Sequence, residues 1–149
     1  MRGTLVCGVT DSDAGRGALE MAVDLSERLG LRLVLAHIWE GIAPVAGDGD
    51  ESVSMKADRE GSARLLARLA GEYGVADRAE RRSESGDAAA LIGQIAAEEA
   101  ADLIVVGARG RGGLRRGLRS RFAERLASET PVPVLIAPPR ARRPERMVA

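Results

Sequence analysis

Aromatic side chains are nearly absent from this chain: Trp39, Tyr73 and Phe122 are the whole set, 2% of its residues. Its core must therefore be built from Leu, Val, Ile and Ala. Cys7 is the only cysteine, which excludes an internal disulfide. His37 is the only histidine, so a zinc site or a Ser-His-Asp triad would have to use it, and no second ligand accompanies it. Lysine is reduced to Lys56, and the 22 basic residues, otherwise arginine, balance 22 acidic ones to a formal net charge of zero. No global field recruits nucleic acid or an acidic membrane, and the scarcity of aromatics removes the stacking platforms that single strands need. No run reaches the ~18 apolar residues of a membrane span, and the N-terminus lacks a charged-then-apolar signal pattern. A cytoplasmic location is the expectation.

What is present is the composition of a soluble globular protein, with 149 residues, 45% hydrophobic and 30% charged. That is one domain, long enough for one substantial core. Cys7 lies within Leu5-Val6-Cys7-Gly8-Val9, where it reads as a small buried hydrophobe rather than a reactive thiol.

Apolar runs rich in β-branched residues alternate with helical periodicity, the pattern of β-α-β units around a parallel sheet. Thr4 to Val9 reads as a strand. Asp11, Ser12 and Asp13 then offer N-cap chemistry, and Ala18, Met21, Ala22, Leu25 and Leu29 recur on one helix face before Gly30. Leu31 to Trp39 reads as a second strand covered on both faces. Residues 41–51 form a Gly-, Asp- and Pro-bearing loop, and a helix is expected over about 52–73, with Leu66, Leu69, Ala70 and Tyr73 inward. Asp77 to Ser85 is polar enough for a strand at a sheet edge. Gly86-Asp87 leads into a helix with Ala88, Leu91, Ile92 and Ile95 inward, and Asp102 to Gly107 is the strongest strand. A Gly/Arg-rich loop, a helix around 120–129 and a last strand, Val132 to Ala137, complete a doubly wound α/β sandwich of five strands and four helices. Leu5, Val6, Val34, Leu35, Ile104, Val105, Val134 and Leu135 are the expected sheet core. The domain is expected to span 1–138, with 139–149 an Arg/Pro-rich disordered tail.

Ligands in such sheets bind beyond the carboxyl ends of the strands, where strand order reverses. Two segments have the right character. One is Val9-Thr10-Asp11-Ser12, and the other runs from Gly107 through Arg109 and Gly110 to Gly113. Glycines let successive N–H groups close on an anion, and a following helix N-terminus adds positive potential. Spacing alone leaves two readings open, a phosphate cradle or a Gly-rich loop solvated by its arginines. Neither a P-loop nor a dinucleotide fingerprint is present.

Val106-Gly-Ala-Arg-Gly-Arg-Gly-Gly-Leu114, Thr130-Pro-Val-Pro-Val-Leu-Ile136, Cys7-Gly-Val-Thr-Asp-Ser12 and Gly86-Asp87 together resemble the universal stress protein family. The resemblance implies a parallel sheet of order 3-2-1-4-5 and dimerisation through the last strand. In one branch it also implies ATP or AMP between strands one and four, with Mg2+ only if ATP is bound. That branch carries Gly-x-x-Gly, nine residues, then Gly followed by Ser or Thr. Gly107 and Gly110 match it, whereas Ser120 stands in place of the Gly and Arg121 in place of the hydroxyl residue. The family's Asp in the first loop falls on Thr10, with Asp11 one residue later. Ser120 reads equally as a helix N-cap. Among the loop arginines, Arg109 included, either one or two touch phosphate or all are solvated. By resemblance Ile38 and Val106 line the adenine pocket; otherwise they are ordinary core at strand ends. His37 is assigned packing near the end of strand two.

The leading functional expectation is a stress-response or regulatory protein that binds an adenine nucleotide as a homodimer through Val132–Ala137. The alternative is a scaffold dimer that has lost nucleotide and works through an unknown protein partner. An enzyme is the weakest reading, limited to slow ATP hydrolysis, since no paired base and nucleophile and no metal cluster is visible.

Overall fold

A computed structural model of the chain describes residues 2–39, 53–108 and 116–139. Nine elements alternate along it: β1 (Thr4–Gly8), α1 (Asp13–Leu29), β2 (Arg32–Trp39), α2 (Val53–Glu72), β3 (Glu80–Ser85), α3 (Ala88–Glu98), β4 (Leu103–Gly107), α4 (Arg116–Glu129) and β5 (Val134–Ala137). The strands form one parallel sheet in the order β3-β2-β1-β4-β5, as the sequence predicts.

The period-2 alternation of the strands divides the core into two layers. Leu5, Cys7, Leu33, Leu35 and Val105 face one side, where Ala18, Leu19 and Ala22 of α1 and Leu66, Leu69 and Ala70 of α2 cover them. Ile104 and Val106 face the other, under Ile92 and Ala96 of α3 and Leu126 of α4, joined by Val6 and Val34 beside Ile95. Both faces are therefore dry, which explains why the central strands are apolar at almost every position. Burial holds the Cys7 thiol neutral, its pKa pushed up to about 12.

Helix ends follow local chemistry. The Ser12 hydroxyl caps α1 by accepting from the Gly15 N–H at 3.0 Å, and Gly30 closes the same helix at φ 65°. Asp87 caps α3 by accepting from the Ala90 N–H at 3.1 Å.

Several boundaries differ from the sequence reading. β3 begins at Glu80 rather than Asp77, because the N–H groups of Arg78 and Ala79 turn back to the Val75 carbonyl. β5 begins at Val134 rather than Val132. Pro131 and Pro133 carry no N–H for a ladder, and the Val132 N–H is taken by the Thr130 hydroxyl. Helix α4 starts at Arg116, so Ser120 lies inside it and is not its N-cap; Arg and Leu, good helix formers, extend the helix toward the loop. Leu29 is 62% exposed at the end of α1. The buried face of α3 is Ala89, Ile92, Ile95 and Ala96, with Ala88 and Leu91 only half-buried. On β5, Val134 is half-buried and packs against the layer of Ile104 and Val106, whereas Leu135 is 37% exposed and is not core in the isolated chain. Among the described residues, β5 has no neighbour on its outer side. The loop 41–51, Arg109, Gly110 and the tail from residue 140 lie outside the described residues.

Candidate functional site

The strand order reverses between β1 and β4, and a cleft of about 790 Å³ opens at their carboxyl ends. Its rim and floor are fixed by backbone hydrogen bonds that continue the ladders past the strands. The Val9 N–H donates to the Ala36 carbonyl at 2.8 Å, the Ala108 N–H to Ala137 at 2.9 Å, and the Gly86 N–H to Trp39 at 3.0 Å. Residues far apart in sequence thus meet on one concave wall.

Of the sequence-predicted residues, Val9, Thr10, Asp11, Ile38, Val106 and Gly107 all line this cleft. Arg121 is exposed on α4 and is not among the lining residues, and the backbone of Ser120 is helical. Arg109 and Gly110 fall outside the described residues.

The apolar part of the wall is Ile38 from β2, Ile92 from α3, Val106 from β4 and Phe122 from α4. Gly8 leaves room for two of them, since a Cβ there would stand 3.2 Å from both Ile92 and Val106. The polar part begins at the exit of β1. The Thr10 hydroxyl lies 2.7 Å from that of Ser12, which is itself bound to the Gly15 N–H. Gly15 has no substitute here: a Cβ on it would stand 2.2 Å from the Thr10 carbonyl oxygen. Thr10, where the resemblance implies a carboxylate, is therefore held against the first turn of α1.

Asp11, one residue later, lines the cleft and is paired with arginines. Its oxygens accept from Arg16 at 3.3 Å and from Arg68 of α2 at 2.8 Å, and Arg16 also donates to Glu72 at 2.7 Å. The Glu72 carboxylate, first among its neighbours, holds the Arg16 guanidinium charged beyond its usual range. This cluster fastens α1 to α2 at the cleft's edge.

His37 also lines the cleft, and its Nδ1 lies 2.6 Å from the hydroxyl of Ser62, which lies 2.6 Å from that of Ser83. The chain of polar groups joins β2, α2 and β3 through a buried hydroxyl. Among the described residues no group of three His, Cys, Asp or Glu is placed to hold a metal ion.

The sequence reading missed the opposite rim. Asp87 and Arg125 both line the cleft, and the guanidinium donates twice to the carboxylate, at 3.1 and 2.7 Å. Arg125, followed by the Ala90 N–H, holds the Asp87 carboxyl below its ordinary range. A signal was available: Gly86-Asp87 ahead of a helix marks an aspartate at a turn facing the strand ends, and Phe122 and Arg125 share a helix face at i, i+3.

Comparison with known proteins places these features. A curated universal stress protein of Mycolicibacterium smegmatis is 31% identical over 141 residues; the match takes in 91% of this chain and 46% of that protein, so the chain spans about half its length. A universal stress protein crystallised with cAMP superposes with a TM-score of 0.68 at 20% identity, covering 91% of this chain and 96% of the other. The universal stress protein from Archaeoglobus fulgidus in complex with dAMP superposes at 0.63 with 17% identity, covering 91% and 97%. At these identities the superpositions speak to the fold, which is shared almost end to end. The model of the universal stress protein family matches residues 1–138, and this chain belongs to that family.

Proposed function

We propose that this universal stress protein is a non-catalytic regulatory module of the stress response that binds an adenine nucleotide, ATP or AMP, in the cleft between β1 and β4. The observation that carries the reading is the convergence of Val9, Thr10, Ile38, Val106 and Gly107 on one wall at the switch point of the sheet. Ile38, Ile92, Val106 and Phe122 offer an aliphatic and aromatic surface for the base, and Thr10 and Ser12 offer hydroxyls nearer α1. The cAMP and dAMP complexes of two fold neighbours support an adenine ligand. Gly110, Arg109, Ser120 and Arg121 complete the proposed phosphate side. Mg2+ would enter only with ATP, on its phosphates.

The proposal includes a homodimer paired through β5. Leu135 and Ile136 are 37% and 46% exposed on a strand with one free edge, a combination that edge-to-edge pairing would bury. It also includes a cytoplasmic location, checked by fractionation; among the described residues no helix is long and apolar enough to cross a membrane.

A second reading, a scaffold dimer without nucleotide, is favoured by the engagement of Asp11 with Arg16 and Arg68 and by the hydroxyl at Thr10. Mass spectrometry of ligand released from freshly purified protein, followed by calorimetry with ATP, AMP and adenosine, separates the two. Co-purified or titratable adenine nucleotide supports the first; no binding of any of the three leaves the scaffold.

A further inference from the structure

Among the described residues that line the cleft, acids outnumber bases. Asp11, Asp13 and Asp87 line it, and among the described lining residues Arg125 is the one arginine or lysine. Asp11 is neutralised from behind by Arg16 and Arg68. Arg125 is engaged as well, in the two-pronged contact with Asp87 that links the turn before α3 to α4.

The two partners of this contact differ in freedom. Asp87 is fixed at both ends, by the Gly86 N–H on the Trp39 carbonyl and by its own cap on the Ala90 N–H. Arg125 reaches it from the second half of α4 with a long side chain that is 57% exposed. An ion pair this open to water is weakly held, and a phosphate presents the same fork of acceptors with more charge. Released, Asp87 keeps the Ala90 N–H and the positive end of α3. The guanidinium can therefore leave without stranding a buried charge.

We propose that Arg125 is an anion-binding residue of the cleft, held at rest by Asp87 and transferred to the phosphate of the nucleotide on binding; this rests on the nucleotide reading above. Asp87 then acts as an internal competitor, lowering affinity for phosphate-bearing ligands by the fraction of time it holds Arg125.

The test is calorimetry with AMP and adenosine on four proteins: the natural chain, Arg125→Gln, Asp87→Asn and the double variant, each checked for folding by its melting transition. Asparagine keeps the α3 cap, so Asp87→Asn releases Arg125 without unravelling the helix. Arg125→Gln is expected to weaken AMP binding about tenfold, and Asp87→Asn to tighten it, while adenosine affinity holds constant in both. In the Arg125→Gln background, Asp87→Asn is expected to change nothing. If AMP and adenosine both bind the natural chain and Arg125→Gln leaves AMP affinity unchanged, the transfer is wrong and the nucleotide reading stands. An equal loss for AMP and adenosine would make Arg125 part of the wall and overturn the transfer as well. Failure of both ligands to bind the natural chain and Asp87→Asn overturns the transfer and the nucleotide reading together.

Discussion

Gly107 lies so close beneath the first turn of α1 that a Cβ on it would stand 2.6 Å from the Ala14 carbonyl oxygen and 2.8 Å from its carbon. The glycine that opens the Gly-rich loop is thus required by helix packing before any ligand is considered. Backbone cannot give way as a flexible side chain can, so Gly107→Ala must displace α1 or the end of β4. We expect a loss of about 1–3 kcal/mol from overpacking, measured by urea denaturation without nucleotide. Unchanged stability with weakened AMP binding would instead mean that Gly107 is present for the phosphate.

Ser62 predicts a cost of a different kind. Its hydroxyl is buried and shared between His37 and Ser83, each at 2.6 Å. Ser62→Ala takes a hydrogen-bonding partner from both at once, and the expected loss is about 1–3 kcal/mol. Ser83→Ala, at the half-buried end of the chain, should cost less, because water can replace what is removed. Chemical denaturation of the two variants side by side checks the order; equal losses would mean that burial at Ser62 is not what sets its cost.

Cys7 provides a probe of global opening. The thiol is fully buried and its pKa is pushed up to about 12, so it is neither ionised nor reachable in the native state. Iodoacetamide at pH 8 is expected to leave the folded protein unlabelled and to label it fully in denaturing urea, followed by intact mass. Rapid labelling of the native chain would contradict the burial.

The Asp87 carboxyl is held below its ordinary value of 3.8, first by Arg125 and then by the Ala90 N–H. A depressed folded-state pKa stabilises the fold above the unfolded value, and that contribution is lost as pH falls through the folded one. Both side chains are about half exposed, at 47% and 57%, so screening limits the effect to less than about 1 kcal/mol. The stability advantage of the natural chain over Asp87→Asn should shrink steadily between pH 5 and 2, read from melting midpoints at each pH. An advantage independent of pH would show that charge at Asp87 contributes nothing.

The fold was legible in the sequence because its signals are local and repeated. Val34-Leu35 and Ile104-Val105-Val106 could only be strands covered on both faces, and Ser12 and Asp87 mark helix starts. The sheet edge at β3 was readable from Glu80-Arg81-Arg82 for the same reason. Boundaries were lost where a nonlocal partner decides, as at Val132, whose N–H turns to Thr130 instead of a ladder. At the cleft, the residues at strand ends could be named because topology puts them there. The Asp87–Arg125 contact could not: each residue carries a local signal, but 38 residues separate them and nothing in either segment pairs it with the other. Nor could sequence decide whether Asp11 replaces the missing carboxylate at Thr10, a question of which way one side chain turns. In the structure that side chain lines the cleft and accepts from Arg16 and Arg68.

The free edge of β5 gives the last prediction. Among the described residues, Val134 to Ala137 pair with Ile104 to Gly107 on one side and with no strand on the other. An exposed aliphatic edge strand is a hazard that proteins blunt with charge or proline, or else cover. Here proline flanks the strand at Pro133 and Pro138 but none lies within Val134–Ala137, no charged residue occurs there, and Leu135 and Ile136 remain 37% and 46% exposed. Covering is the remaining course, and a second copy of the same strand is a cover of matching shape. Ile136→Glu would place a carboxylate in that proposed contact, at a side chain that is 46% exposed in the single chain. It should therefore convert a dimer to a monomer in light scattering while moving the melting transition of the monomer little. A dimeric mass in the variant would move the interface elsewhere on the surface. A monomeric natural chain at every concentration would mean that β5 is left uncovered.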